Sequence, residues 1–225
     1  MMKEQKLFAK YGFVVLKNVI PKNKITALRK EVIKICRKKK IEDVFLPKKK
    51  IFWKKNSEKL NEIRLYLNYK NKVFKKFYKY KKFYTISQKL KNKKVSKFSV
   101  DKVRFNIPSL KKTFLPWHQD EITWPKKVNQ NPITFWVPLV EVNYKNGIEL
   151  IKLKKKLSNL KEHQFGDDPK TYLRDSKLKS KFKTSRIYKP KLLLGDIIAF
   201  DAFVPHRSCK NLSSKIRISI DTRFK

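Results

Sequence analysis

The chain has 225 residues, 40% of them hydrophobic, which suffices for one domain with a substantial core, and no break in composition divides it. Its two cysteines exclude a disulfide framework, and no apolar run reaches membrane-spanning length. The net charge of +41 would attract nucleic acid, anionic membrane surfaces or phosphorylated substrates, but it bears on association and not on fold.

Lysine supplies most of that charge, beside abundant Ile and Asn and only 4 Gly, a bias that follows codon usage in an AT-rich genome. Arginine, the better bidentate reader of phosphate and guanine, is not the enriched residue, so compositional drift is the preferred reading of the excess. The first twenty residues lack the apolar segment and cleavage site of a signal peptide, and a cytoplasmic protein is expected.

In chain order, "YGFVVLKNVI" (11–20) reads as a short strand entered through Gly12. Pro21 then opens a helix with Ile25, Leu28, Val32 and Cys36 on one face. Residues 58–90 carry aromatic and apolar residues at helical spacings and read as two helices. Their interleaved lysines and aromatics, among them Phe77, Tyr78 and Tyr80, suit base stacking in principle, but a buried helix face is the expectation. After residue 95 the period changes to that of strands: "KFSVDKVRFNIP", "ITFWVPLVEV" (133–142), then an Asn-Gly turn at 146–147 followed by "IELIKL". Residues 154–185 are polar and lysine-rich, a long loop. "RIYKPKLLLGDIIAFDAFVPH" and "SKIRISIDTRF" close the chain as two more strand zones. Helices first and strands afterwards predict an α+β domain spanning 1–225, with helices over 1–95 flanking a β-sandwich or barrel over 96–225.

Only three histidines occur. His118 and Asp120 form an HxD pair in "LPWHQDEITWP", and on an extended strand both side chains project to one face. A distant His206, at the end of "GDIIAFDAFVPH", completes two imidazoles and one carboxylate with coordination positions left open, the facial triad of non-haem Fe(II) oxygenases. HxD alone recurs by chance, and a core histidine beside a capping aspartate is the bland alternative. Arg217 adds to it. In "KIRISIDTRF" Ile216, Ile218 and Ile220 share one face, and Arg217, Ser219, Asp221 and Arg223 the other. A half-exposed strand explains that pattern, but an arginine just after the last ligand can also clamp a dicarboxylate bidentately. His163, with Asp167 and Asp168, reads as an exposed loop histidine and not as a second metal site.

The stretches "YGFVVLKNVIPKNKITALRKEV", "RFNIPSLKKTFLPWHQDEITW" and "GDIIAFDAFVPHRSCKNLSSKIRISIDTRF" resemble the phytanoyl-CoA dioxygenase family of Fe(II)/2-oxoglutarate oxygenases, including its ectoine hydroxylase branch. The resemblance implies a double-stranded β-helix (a cupin-like jelly roll) with N-terminal helices outside one sheet. It implies His118, Asp120 and His206 as iron ligands, with O2 and 2-oxoglutarate as co-substrates, and Arg217 at the distal carboxylate of 2-oxoglutarate. Ser208 assists that carboxylate, and Asn106 and Trp136 lie near the co-substrate. Trp124 and Arg104 fall where the ectoine branch contacts its substrate. After "NG" the chain departs from the family's "PGSH"-like turn, which puts any transferred substrate in doubt. Retention of Asp120 argues against the halogenating variants, which lose that carboxylate.

The expectation is an oxygenase that hydroxylates a small organic substrate and releases succinate and CO2, the basic surface pointing to an anionic one. Two alternatives compete. An oxidative nucleic-acid demethylase would use the charge, and Arg217 and Arg223 have that family's RxxxxxR spacing. A non-catalytic basic nucleic-acid-binding protein would leave the triad vestigial. On the leading reading, nucleic acid is only a nonspecific electrostatic partner.

Overall fold

The computed structural model describes residues 2–108, 110, 115–120, 131–153 and 186–225. Trp124, His163, Asp167, Asp168 and the insert at 154–185 lie outside the described residues.

A helix stands where the sequence suggested no element at all. α1 (Met2–Tyr11) buries only Phe8, so its apolar period is too thin to read. Gly12 (φ 75°) ends it: its amide donates to the Phe8 carbonyl at 2.8 Å, a left-handed helix stop, and β1 (Phe13–Leu16) begins at once. Gly12 thus closes a helix as well as opening a strand. α2 (Lys22–Lys38) follows Pro21 as expected, burying Ile25, Leu28, Val32, Ile35 and Cys36.

Sequence reasoning left α3 (Lys50–Lys55) unassigned and expected two helices in 58–90. The structure has three there, α4 (Ser57–Tyr69), α5 (Lys72–Tyr78) and α6 (Lys81–Lys91). Neither break contains Gly or Pro. Asn71 makes the first, its side chain accepting from the Phe74 amide at 3.1 Å and donating to Glu31 on α2 at 2.8 Å. Phe77 and Tyr78 are buried and Tyr80 packs against the core, as the helical spacing predicts.

The strands form two antiparallel sheets. β2 (Lys97–Asn106), β3 (Ile133–Pro138), β6 (Ile197–Asp201) and β8 (Arg217–Phe224) join β1 in the order β1-β6-β3-β8-β2. β4 (Ile148–Lys152), β5 (Arg186–Tyr188) and β7 (His206–Ser208) form the smaller sheet, in the order β5-β4-β7. The last two strand zones read from sequence are therefore four strands. His206 does not end the strand begun at Ile197; it opens a strand in the other sheet. Asp201 makes the crossing, its carboxylate accepting the Phe203 amide at 2.9 Å. With helices on its outer face, this is the jelly roll expected.

Strand alternation assigns each face. Ile133, Phe135 and Val137 of β3, Ile197 and Ala199 of β6, and Ile216, Ile218, Ile220 and Phe224 at β8 pack with the helices in the larger core. Trp136, Ile198 and Phe200 point the other way and meet Ile148 and Leu150 of the small sheet. β8 is buried on both faces, so the half-exposed strand is excluded. Its inner face carries Arg217, Ser219, Asp221 and Arg223. Four polar side chains buried between two sheets need partners.

One turn fixes how β1 meets β6. Gly195 (φ +98°) accepts at its carbonyl from the amides of Val19 and Ile20, at 2.9 and 3.0 Å. A Cβ there would stand 2.5 Å from the Ile20 carbonyl oxygen. Gly195→Ala is expected to lower stability by ~2–4 kcal/mol, combining left-handed strain with a backbone clash. Urea unfolding checks it, and an unchanged midpoint would contradict it. No helix among the described residues is long and apolar enough to cross a membrane.

Candidate metal centre and anion clamp

His118, Asp120 and His206 meet between the sheets, all buried, with their ligating atoms within 4.8 Å of one another. His118 is not in a strand, as the sequence suggested, but in an isolated antiparallel bridge with His206. Each amide donates to the other's carbonyl, at 2.9 and 3.0 Å. Residues paired this way point to one face, so both imidazoles enter the same space. Asp120, two residues on, joins them.

Second contacts set the tautomers. The Nδ1–H of His118 donates to the Pro116 carbonyl at 2.7 Å, and that of His206 to the Val204 carbonyl at 2.9 Å. Each Nε2 is therefore the lone-pair nitrogen, and each lies 3.9 Å from Asp120 Oδ1. That separation is below the ~4.2 Å spanned by two metal–ligand bonds of ~2.1 Å. Burial, then the neighbouring His206, pushes His118 down to about 3, and burial lowers His206 as well. Both rings are neutral at physiological pH, the form that binds metal.

Asp120 is held by its other oxygen. Oδ2 accepts from Thr134 Oγ1 at 2.9 Å, Arg223 Nη2 at 2.9 Å and Arg223 Nε at 3.3 Å. Burial alone would raise this carboxyl, but the Arg223 guanidinium together with the two imidazoles outweighs it and keeps Asp120 well below the ordinary carboxylate range. Oδ1 faces the imidazoles. Two neutral imidazoles and one carboxylate, with the second carboxylate oxygen already occupied, fit a facial-triad iron with open positions.

Arg217 lies fully inside, 1% exposed. Its Nη1 donates to Ser219 Oγ at 2.7 Å, Nη2 to Ser208 Oγ at 3.1 Å and Nε to the Asn146 carbonyl at 3.3 Å. The guanidinium sits 5.4 Å from the Trp136 ring centroid. Burial lowers it to about 10, so it remains charged at neutral pH. No carboxylate lies within ion-pair distance of it among the described residues. A buried, charged fork with only neutral partners has the chemistry of an anion site.

Three strands tie clamp to triad. On β7, His206 and Ser208 share a face, two residues or ~6.6 Å apart. On β3, Thr134 supports Asp120 and Trp136 flanks Arg217. On β8, Arg223 holds Asp120 and Arg217 is the clamp itself.

Of the remaining expected residues, Asn106 is the cross-strand partner of Arg217, but its side-chain amide donates to the Cys209 carbonyl at 2.7 Å. Arg104 shares that inner face, paired with Ser219. Its Nε donates to Asp221 Oδ2 at 3.0 Å, while its terminal nitrogens make no hydrogen bond among the described residues. Sequence reasoning assigned no role to Thr134, Ser219 or Asp221. It put Arg223 on the face of Arg217 and noted the spacing of the two, but not the hold of Arg223 on Asp120.

Losing the Arg223 fork removes two of the three bonds described to Asp120 Oδ2 and leaves that from Thr134. Arg223→Met is expected to weaken Fe(II) binding ~10–100-fold, the usual cost of removing a partner of a metal ligand. Equilibrium Fe(II) titration measures it; unchanged affinity would show that Asp120 is oriented without Arg223.

The family described as phytanoyl-CoA dioxygenase (PhyH) matches residues 8–219. Comparison with curated proteins by sequence gives no match. Among solved structures, the chain is similar to the epimerase SnoN in complex with Fe3+, alpha ketoglutarate and nogalamycin RO, at 14% identity and TM-score 0.67, covering 99% of this chain and 82% of that one. The carbocyclase SnoK from nogalamycin biosynthesis gives 13%, 0.67, and 100% and 83%. EctD from S. alaskensis with 2-oxoglutarate and 5-hydroxyectoine gives 17%, 0.68, and 100% and 76%. At these identities the structures establish a shared fold.

Proposed function

We propose, for a chain that belongs to the phytanoyl-CoA dioxygenase family and is thereby an Fe(II)/2-oxoglutarate-dependent enzyme, that it hydroxylates a small anionic organic substrate. The observation that carries this reading is Arg217, a buried guanidinium without a carboxylate partner among the described residues, hydrogen-bonded to Ser208, which lies two residues along β7 from the candidate metal ligand His206.

His118, Asp120 and His206 would hold the iron. When bound, it supplies O2 activation and substrate C–H oxidation coupled to decarboxylation of 2-oxoglutarate to succinate. Arg217, steadied by Ser208 and Ser219, receives the distal carboxylate of 2-oxoglutarate and so fixes the orientation of its keto-acid end toward the triad. Trp136 flanks the guanidinium, and Asn106, the cross-strand partner of Arg217, holds the Cys209 carbonyl beside Ser208. Arg104 offers its terminal nitrogens to an anionic group on the substrate, with Asp221 fixing its Nε edge. Trp124 is assigned to the same substrate pocket on the resemblance alone. The chain acts as one domain, and its unpaired cysteines support a cytoplasmic setting.

The buried positions of Phe77 and Tyr78 favour a small molecule over nucleic acid, because neither ring is offered for stacking. The test is a turnover screen with Fe(II), 2-oxoglutarate and O2, reading succinate. Stimulation by small carboxylates or phosphorylated metabolites, diminished in Arg104→Gln, is expected. Stimulation by methylated oligonucleotides and by no small anion would replace this reading with the demethylase.

A further inference from the structure

The two histidines of the triad come from segments joined, among the described residues, by little backbone. His118 and His206 share a single isolated bridge, and beyond it the Ser208 amide donates to the Leu115 carbonyl at 3.0 Å. One residue on, Gln119 Nε2 donates to the Phe203 carbonyl at 2.7 Å. Nothing in a bridge of one residue pair holds the spacing of two imidazoles as a full ladder would.

The opposite face of the same bridge carries a second set of contacts. If His118 pairs with His206 and both point inward, Trp117 and Arg207 are the next pair and point outward. The Arg207 guanidinium lies 4.8 Å from the Trp117 ring centroid. Its Nε donates to Glu149 Oε2 at 2.6 Å, and Glu149 is its register partner on β4. Lys189 holds the other oxygen, Oε1, at 2.9 Å. Trp117 is 4% exposed and packs on Ile151, two residues after Glu149 on the same strand. A tryptophan, an arginine and a buried glutamate thus join the HxD segment to β7 and β4 from behind.

We propose that Trp117, Arg207 and Glu149 form an outer latch that sets the spacing of His118 and His206, and so are positioning residues for the metal centre. The inference rests on the reading of the triad as an iron site. Arginine suits the role because its planar guanidinium stacks on the indole while its Nε edge meets the carboxylate; lysine cannot do both. Among the described residues no latch side chain bonds to the triad or to Arg217, so its effect must travel through the backbone of the bridge.

The test is Fe(II) titration of the full chain under anaerobic conditions, with thermal melting and the KM for 2-oxoglutarate measured alongside. Trp117→Leu and Arg207→Ala are expected to weaken Fe(II) binding about tenfold, within the range for partners that orient metal ligands. Arg207→Lys, which keeps the charge toward Glu149 but loses the stack, should show most of that loss. Trp117→Phe, which keeps a ring under the guanidinium, should bind Fe(II) within about twofold of the parent. The KM for 2-oxoglutarate should move little, since Arg217 is untouched. Lower melting temperatures with Fe(II) affinity unchanged in Trp117→Leu, Arg207→Ala and Arg207→Lys would reduce the latch to packing and overturn the proposal. If a larger change prevents folding, Arg207→Lys and Trp117→Phe still decide: equal affinity in the two contradicts it. A parent chain that binds no Fe(II) would instead overturn the metal site itself.

Discussion

Replacing Arg217 with alanine is expected to raise the 2-oxoglutarate concentration for half-saturation by ~100-fold or more. Truncating one partner of a buried, hydrogen-bonded charge pair costs ~2–5 kcal/mol, and ~2.8 kcal/mol is a hundredfold in affinity. Here Ser208 and Ser219 already orient the guanidinium, so the loss falls on the carboxylate that binds between them. Arg217→Lys should lose at least ~10-fold, because one ammonium cannot donate to two serines and both oxygens of a carboxylate in the same plane. The guanidinium is lowered only to about 10 by burial, so 2-oxoglutarate affinity should not fall on its account between neutral pH and pH 9. Equilibrium binding and steady-state KM measure these effects. Unchanged binding in Arg217→Ala would remove the co-substrate assignment.

The second large effect is at the triad. Asp120→Ala and His206→Ala are each expected to weaken Fe(II) binding on the order of 100-fold or more and to abolish succinate formation, since each removes one of three protein ligands. The two variants should differ in stability. His206→Ala removes a neutral ring that donates to the Val204 carbonyl, whereas Asp120→Ala takes from buried Arg223 its closer carboxylate, at 2.9 Å, and leaves Asp221 at 3.7 Å. Breaking a buried pair costs ~3–5 kcal/mol, so Asp120→Ala should be the less stable of the two. Iron titration and urea unfolding measure both properties. Wild-type iron affinity in either variant would exclude these ligands.

How much of this could be read from the chain depends on how local each signal is. HxD and the alternation of "KIRISIDTRF" are two-residue periods, and they set His118 with Asp120, and Arg217 with Arg223, on shared faces; that these faces point inward shows only in the fold. Ser208 was legible only through the resemblance, and its bond to Arg217 confirms the geometry and not the role. α1 was missed because one buried phenylalanine gives no period. The split of 58–90 into three helices turns on Asn71, whose cap is visible only once Glu31 of α2 is beside it. "GDIIAFDAFVPH" is apolar apart from its two aspartates and reads as one strand ending at His206. The turn at Asp201 that carries it into the second sheet depends on a side chain bonding its own backbone two residues on. Arg207 and Trp117 had no sequence signal, because cross-strand pairs between segments so far apart exist only in the fold.

If the triad and Arg217 form one site for iron and 2-oxoglutarate, anaerobic titration of the full chain with both gives a visible charge-transfer band that requires Fe(II) and 2-oxoglutarate together. That band should be absent in Asp120→Ala and should need far more 2-oxoglutarate in Arg217→Ala. Iron binding with no band on adding 2-oxoglutarate, or the same 2-oxoglutarate titration with and without Arg217, would contradict it.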